Sequence, residues 1–236
     1  MDLRFPFDHP EIAAVLTRLH KAADADNRKL PGRAPAYFWA KITGRLNEPT
    51  TRRRLFADLY SAVTPARGAL LYVLARAVQA KRVVEFGSSF GISTIYLAAA
   101  VRDNVSAAAT DDVSVVGSEM EPAKAEQARK NIDAAGLGDL VTILQGDAME
   151  TLREVAGPID FAFLDGRKEL YLPVLKLLES KLRAGAMIVA DNIDSFRSEV
   201  APFLEYVQTP RNRYASMTAG VNDGMEISIF ERGERC

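Results

Sequence analysis

Five acidic residues, Glu85, Glu119, Asp147, Asp165 and Asp191, each end or closely follow a short apolar run that reads as a β-strand. Loops favour aspartate, so one such acid means little. Five at the same end of successive strands point to one site, because in open α/β sheets those ends line the ligand crevice. Glu119 closes the second strand, where an acid accepts hydrogen bonds from ribose hydroxyls. Asp147, within Gly146-Asp147-Ala148, can accept from an adenine amino group, and it can also cap the helix that follows. Asp165, Asp191 and Asn192 come from successive strand ends and offer two carboxylates and an amide oxygen. Such a hard-oxygen set suits Mg²⁺ and is too poor in soft ligands for zinc. The structural alternative is a pair of turns built by Asp-Gly and Asp-Asn. Lys168 stands three residues after Asp165. A loop lysine is normally solvated, but nearby positive charge would favour its neutral amine, which can act as a base.

The elements that must position these residues are legible from the apolar pattern. In Arg82-Val-Val-Glu-Phe-Gly-Ser-Ser-Phe-Gly-Ile-Ser-Thr94 a buried strand runs through Glu85 into a turn framed by Gly87 and Gly91. A strand, a glycine turn and a helix opening is how such sheets seat a nucleotide-like ligand, with free helix N–H groups aimed at it. Strands are expected at 81–86, 113–119, 140–144, 159–164 and 186–190. Helices are expected at 64–79, 92–101, 122–135, 149–155, 170–182 and 195–207. Thr64-Pro65 is a helix start, Gly136 a helix stop, Gly185 closes a connection, and Ser195 is a candidate cap. A polar, alanine-rich connection is expected at 102–112. Runs at 213–218 and 225–231, around Asn222-Asp223-Gly224, read as an antiparallel pair. Alternating strands and helices imply an α/β fold with a parallel sheet covered on both faces.

Ahead of this domain, residues 8–22 read as an amphipathic helix capped by Asp8, followed by a polar loop over 24–35. Tyr37, Phe38 and Trp39 read as a hydrophobic anchor, or else as an aromatic wall over a small substrate. Arg52-Arg53-Arg54 opens another helix, through Ala62, with a solvated face. The expected division is an N-terminal helical extension at 1–63 and a main domain at 64–236.

Composition removes several classes. A hydrophobic content of 48% supports a sizeable core, while a net charge of −1 and a pI near 6.2 give no reason to expect nucleic acid. No run approaches a membrane span, and the start lacks a secretory pattern. Cys236 is the single cysteine, so no intramolecular disulfide forms, which fits a cytoplasmic location. With only His9 and His20 present, a histidine base or a histidine-rich zinc site is not expected.

From about Thr64 to the C-terminus the chain resembles the cation-dependent, catechol-type O-methyltransferases among class I S-adenosylmethionine-dependent enzymes. The resemblance rests on an ordered set: Glu85-Phe-Gly-Ser-Ser-Phe-Gly-Ile-Ser93, Glu119, Gly146-Asp147-Ala148, Asp165-x-x-Lys168 with Tyr171, Asp191-Asn192, and Asn222-Asp-Gly-Met-Glu-Ile-Ser228. It implies a Rossmann-like sheet of seven strands, mostly parallel, with the last strand antiparallel. It implies that Glu85, Gly87, Ser93, Glu119, Met120, Asp147, Ala148 and Asp165 hold S-adenosylmethionine. Asp165, Asp191 and Asn192 would bind Mg²⁺ or another divalent cation, and Lys168, beside Asp165, would be the catalytic base. The implied acceptor is a small hydroxylated aromatic such as a catechol, and the implied assembly is a homodimer. Three rivals stand beside this reading. A nicotinamide dehydrogenase would also use Glu119, but its turn is G-x-G-x-x-G rather than G-x-x-x-G. A metal-independent class I methyltransferase acting on another hydroxyl or amine is the second. A fold that only binds a ligand or partner is the third.

Overall fold

The computed structural model describes residues 5–27, 39–40, 42–44, 62–105, 113–221 and 223–231. Its strands are β1 (Arg82–Phe86), β2 (Ser114–Glu119), β3 (Val141–Gln145), β4 (Ile159–Leu164), β5 (Leu182–Asp191), β6 (Tyr214–Ala219) and β7 (Met225–Phe230). They form one seven-stranded sheet in the order β3-β2-β1-β4-β5-β7-β6. β1 to β5 pair in parallel, and β7 runs antiparallel to both of its neighbours. The helices are α1 (Pro10–Asn27), α2 (Pro65–Ala77), α3 (Ile92–Asn104), α4 (Pro122–Ala134), α5 (Ala148–Thr151), α6 (Tyr171–Glu179) and α7 (Arg197–Gln208). Among the described residues no helix is long and apolar enough to cross a membrane.

The strand pleat divides the core in two. Val83, Phe161, Phe163 and Val189 face a cluster built with α1 to α4, while Val84, Ala162, Leu164 and Ile188 face one built with α5 to α7. Successive residues point to opposite faces, so central strands buried on both sides must be apolar almost throughout. Glu85 in β1 breaks that rule, and so locates the site. β2 and β3 build outward from one side of β1 and β4 from the other. Strand order therefore reverses between β1 and β4, and the crevice beyond their C-terminal ends is where such sheets take ligands.

Several local expectations need correction. α1 opens at Pro10 rather than from an Asp8 cap, and it continues through 24–27, which had read as loop. α3 likewise extends to Asn104, into the stretch read as a connection. Ser195 does not cap α7, whose preceding residue is Phe196. Its N–H and hydroxyl instead donate to Asp223 Oδ1, at 2.9 and 2.7 Å. The helix expected to reach 182 ends at Glu179, because β5 begins at Leu182 to pair with Ile159. Gly185, with φ +75°, is therefore inside a strand rather than in a connection. Thr64 accepts from Arg67 N at 3.4 Å with Pro65 next, as the start signal predicts. Trp39 is 56% exposed, so it is not a buried anchor. Tyr37, Phe38, Arg52-Arg53-Arg54, the stretch 106–112 and Asn222 lie outside the described residues.

α1 shares the core of the sheet domain. Ile12, Leu16 and Leu19 are fully buried in the same cluster as Tyr96 and Leu97 of α3. Each such side chain contributes about 1.5–3 kcal/mol. His20 adds a polar contact, with its Nε2 3.1 Å from the Tyr96 hydroxyl in a buried position. Burial pushes its pKa below the ordinary 6.5, against a smaller pull upward from Asp24. The sign follows from linkage: the unfolded chain takes up a proton more readily than the docked helix. Docking of α1 is therefore fully supported above the ordinary value and weakens as pH falls below it, until His20 is protonated in both states. Protection against amide exchange, corrected for the intrinsic rate at each pH, is expected to fall in α1 between neutral pH and about pH 5 more than in α3, and His20→Gln should flatten that difference. An equal loss of protection in both helices would contradict this assignment.

Candidate active site

The chain leaves β1 through Gly87, whose φ is +96°. A Cβ there would lie 2.6 Å from Gly166 N, in the loop after β4. The loops flanking the switch point thus meet backbone to backbone, which only glycine permits. Gly91, at φ +85°, then opens α3. On one side of Gly87 a small pocket is lined by Val63, Ser88, Ser93 and Asp165. On the other a cleft of about 130 Å³ is lined by Glu119, Met120, Asp147, Ala148 and Leu170. That is about ten times the roughly 10–15 Å³ that a cavity needs to hold one water, so it is more than a packing defect. Seven of the eight residues expected to hold the cofactor line these two openings, and the eighth, Glu85, is buried in β1, the strand that leads into Gly87.

The acids differ in how they are held. Glu85 is fully buried and accepts from the Thr94 hydroxyl, while its Oε1 has no partner among the described residues. Burial, above all, pushes its pKa up to about 6. Glu119 accepts from Ser89 N at 2.8 Å and from Glu121 N at 2.9 Å, which fixes its carboxylate at the wall of the larger cleft. Asp147 caps α5, accepting from Met149 N at 2.9 Å, and lines the same cleft. Both readings of Asp147, cap and ligand contact, are compatible with that position.

Asp165, Lys168, Asp191 and Asn192 come together. Lys168 Nζ lies 2.9 Å from Asp165 Oδ1, 2.9 Å from Asn192 Oδ1 and 2.7 Å from the Tyr171 hydroxyl. Two oxygens that share one ammonium cannot be more than twice that distance apart. Asn192 sits at φ +59°, a left-handed conformation that turns its side chain back toward the crevice. Its amide nitrogen donates to Asp223 Oδ2 at 3.3 Å, which leaves Oδ1 for Lys168. Tyr171 is fully buried and donates to the Asp191 carbonyl at 3.0 Å. Asp191 is also buried, and Oδ2 takes Arg67 Nη1 at 3.1 Å. Burial first, then the charge of Asp165, holds the Asp191 carboxyl well above the usual carboxylate range, against the pull of Arg67.

These residues suit a hard divalent cation in two respects. The donors are all oxygen, and Asp191 Oδ1 is buried without a partner among the described residues. The mutual repulsion of Asp165 and Asp191 is what a cation between them would relieve. Among the described residues no group of three or more His, Cys, Asp or Glu side chains is placed to hold a metal, so a site here has to draw on the amide of Asn192.

Arg67 is a site residue that the sequence reading missed. It is 5% exposed, and its Nε and Nη2 have no partner among the described residues. A signal was present. Arg67 falls on the same helical stripe as Leu70, Leu71 and Leu74, and a charge on an apolar stripe needs a buried partner.

Residues 84–193 match a family described as a methyltransferase domain. A catechol O-methyltransferase from Mycobacterium tuberculosis is 39% identical over 133 residues, which cover 56% of this chain and 57% of that protein. One from Niastella koreensis is 37% identical over 136 residues, covering 56% of this chain and 58% of that protein. The chain thus spans little more than half the length of the curated relatives it matches. The solved structure of the O-methyltransferase TomG from Streptomyces achromogenes, involved in tomaymycin synthesis and in complex with SAM, superimposes with a TM-score of 0.63. It is 28% identical and covers 76% of this chain and 86% of that one. With a glycine turn at the switch point and the acids of five strand ends around it, the chain is similar over residues 84–193 to a methyltransferase domain, in sequence to catechol O-methyltransferases and in structure to an O-methyltransferase solved with SAM.

Proposed function

We propose that this chain transfers a methyl group from S-adenosylmethionine to a hydroxyl of a small catechol-like aromatic, with a divalent cation, Mg²⁺ or a similar ion, at Asp165, Asp191 and Asn192. One observation carries the reading. Asp165 both lines the pocket beside Gly87 and shares Lys168 with Asn192, so the cofactor crevice and the oxygen cluster meet at one side chain. The larger cleft suits a nucleoside, with Glu119 facing ribose hydroxyls, Asp147 and Ala148 beside the base, and Met120 at the rim. The amino-acid end would lie toward the smaller pocket, where Gly87 and Ser93 allow close approach and the spare oxygen of Glu85 can accept from an ammonium.

Methyl transfer from a sulfonium needs an oxygen nucleophile, and a phenol is mostly protonated at neutral pH. A divalent cation, when bound, supplies Lewis acidity toward the acceptor hydroxyls and selects for two adjacent ones. Lys168 takes the proton of the attacking hydroxyl. The new bond is oxygen to methyl, and the broken bond leaves its electron pair on sulfur. Tyr171 holds Lys168 in place, and Arg67 holds Asp191. Fixing donor and acceptor in line supplies much of the remaining acceleration. On the same reading the acceptor is a small molecule rather than nucleic acid, and the chain acts as a cytoplasmic homodimer.

A second reading has an observation of its own. Arg67 and Lys168 already balance the charges of Asp191 and Asp165. That balance favours a metal-independent O-methyltransferase built on the same crevice. The cofactor assignment, common to both, is tested by titration with S-adenosylhomocysteine and with NADH. Saturable binding of the first alone is expected. Binding of NADH alone would return the site to dehydrogenase chemistry.

A further inference from the structure

All three N–H bonds of the Lys168 ammonium have acceptors: Asp165 Oδ1, Asn192 Oδ1 and the Tyr171 hydroxyl. Lys168 is 8% exposed, and the Phe196 ring lies 5.7 Å from Nζ. This is a built position rather than a solvated lysine. Two of its three acceptors are the oxygens assigned above to a divalent cation. Asn192 cannot present a different atom, because its amide nitrogen is engaged by Asp223. Asp191 cannot take up the displaced charge freely either, since Oδ2 already holds Arg67.

We propose that Lys168 is a tethered counter-ion that competes with the divalent cation for Asp165 and Asn192, so that loading the ion and releasing the lysine are one coupled event. The inference rests on the cation reading of the site and adds to it. A unit positive charge within hydrogen-bond distance of a cation's own ligands opposes that cation strongly at the low effective dielectric of a buried site. The lysine assigned as base therefore lowers the affinity of the site for metal. Removing it should weaken methyl transfer and tighten metal binding together, a combination that a purely structural or purely catalytic lysine does not produce.

The test is a Mn²⁺ titration of the full chain at one fixed pH, reading free Mn²⁺ by its paramagnetic resonance signal. Wild type is compared with Lys168→Met, Lys168→Gln, Lys168→Arg and Asp165→Asn, each checked for folding by circular dichroism. The methionine and glutamine variants are expected to bind Mn²⁺ at least about tenfold more tightly than wild type. The arginine variant, which keeps the charge, should bind no more tightly, and Asp165→Asn should bind more weakly. If Asp165→Asn weakens binding while both neutral variants match wild type or bind less tightly, the competition is refuted and the cation site stands. If Mn²⁺ binding is absent throughout or indifferent to Asp165, the cation reading falls and the competition with it. Two neutral variants of different polarity are included so that a folding defect in one does not decide the result.

Discussion

Lys168→Met should lower kcat for methylation of a catechol by about 100- to 10,000-fold, the range over which a positioned general base contributes. Affinity for S-adenosylhomocysteine should stay unchanged, because Lys168 lines neither pocket beside Gly87. Methionine keeps the length and apolar stem of lysine, so the packing against Phe196 and Tyr171 is largely retained. The loss should shrink as pH rises, since hydroxide in solvent increasingly replaces the missing base. A variant with kcat near wild type would remove Lys168 from the chemistry and leave it as a structural link between β4 and β5.

The second large effect is on stability. Arg67→Met should cost about 3–5 kcal/mol, the range for breaking a buried ion pair from one side. Side-chain exposures of 6% and 2% leave neither partner of the Arg67–Asp191 pair within reach of bulk water. The variant strands the carboxylate of Asp191, already held above its ordinary range by burial and by Asp165. Urea unfolding measures the loss directly. Arg67→Lys, which keeps a charge but not the planar fork, should recover part of it. A cost below about 1 kcal/mol would mean that Asp191 is neutral in the folded protein, and that Arg67 is not what holds it.

The sequence shows the architecture of this site better than its internal bonding. Strand ends and the glycine turn are legible because burial on both sheet faces demands continuous apolar runs, and because Gly87 and Gly91 stand where positive φ is required. Glu85 is conspicuous for the same reason, as a charge inside such a run. The Arg67–Asp191 pair joins residues far apart in the chain, and spacing along the sequence carries no trace of it. Its only mark is an arginine on an apolar stripe, which needs the helix phase to be read residue by residue. The role of Asp223 is hidden differently. In sequence Asp223-Gly224 is a hairpin turn, and Ser195 is a helix cap. In the fold the aspartate holds both Ser195 and Asn192, so a turn residue becomes a support for the oxygen cluster. The end of α1 is hard to read from the sequence because its last turn, Asp24-Ala25-Asp26-Asn27, carries no apolar periodicity.

The most direct measurement is methyl transfer itself. The full chain is incubated with S-adenosylmethionine and catechol in the presence of Mg²⁺, and in parallel with EDTA, and the aromatic product is read by mass. The expected result is a mono-methylated catechol with Mg²⁺, and its near-complete loss with EDTA that added Mg²⁺ restores. Equal methylation under both conditions would remove the cation from Asp165, Asp191 and Asn192. No methylated product under either condition would contradict the transfer of methyl groups to catechols altogether.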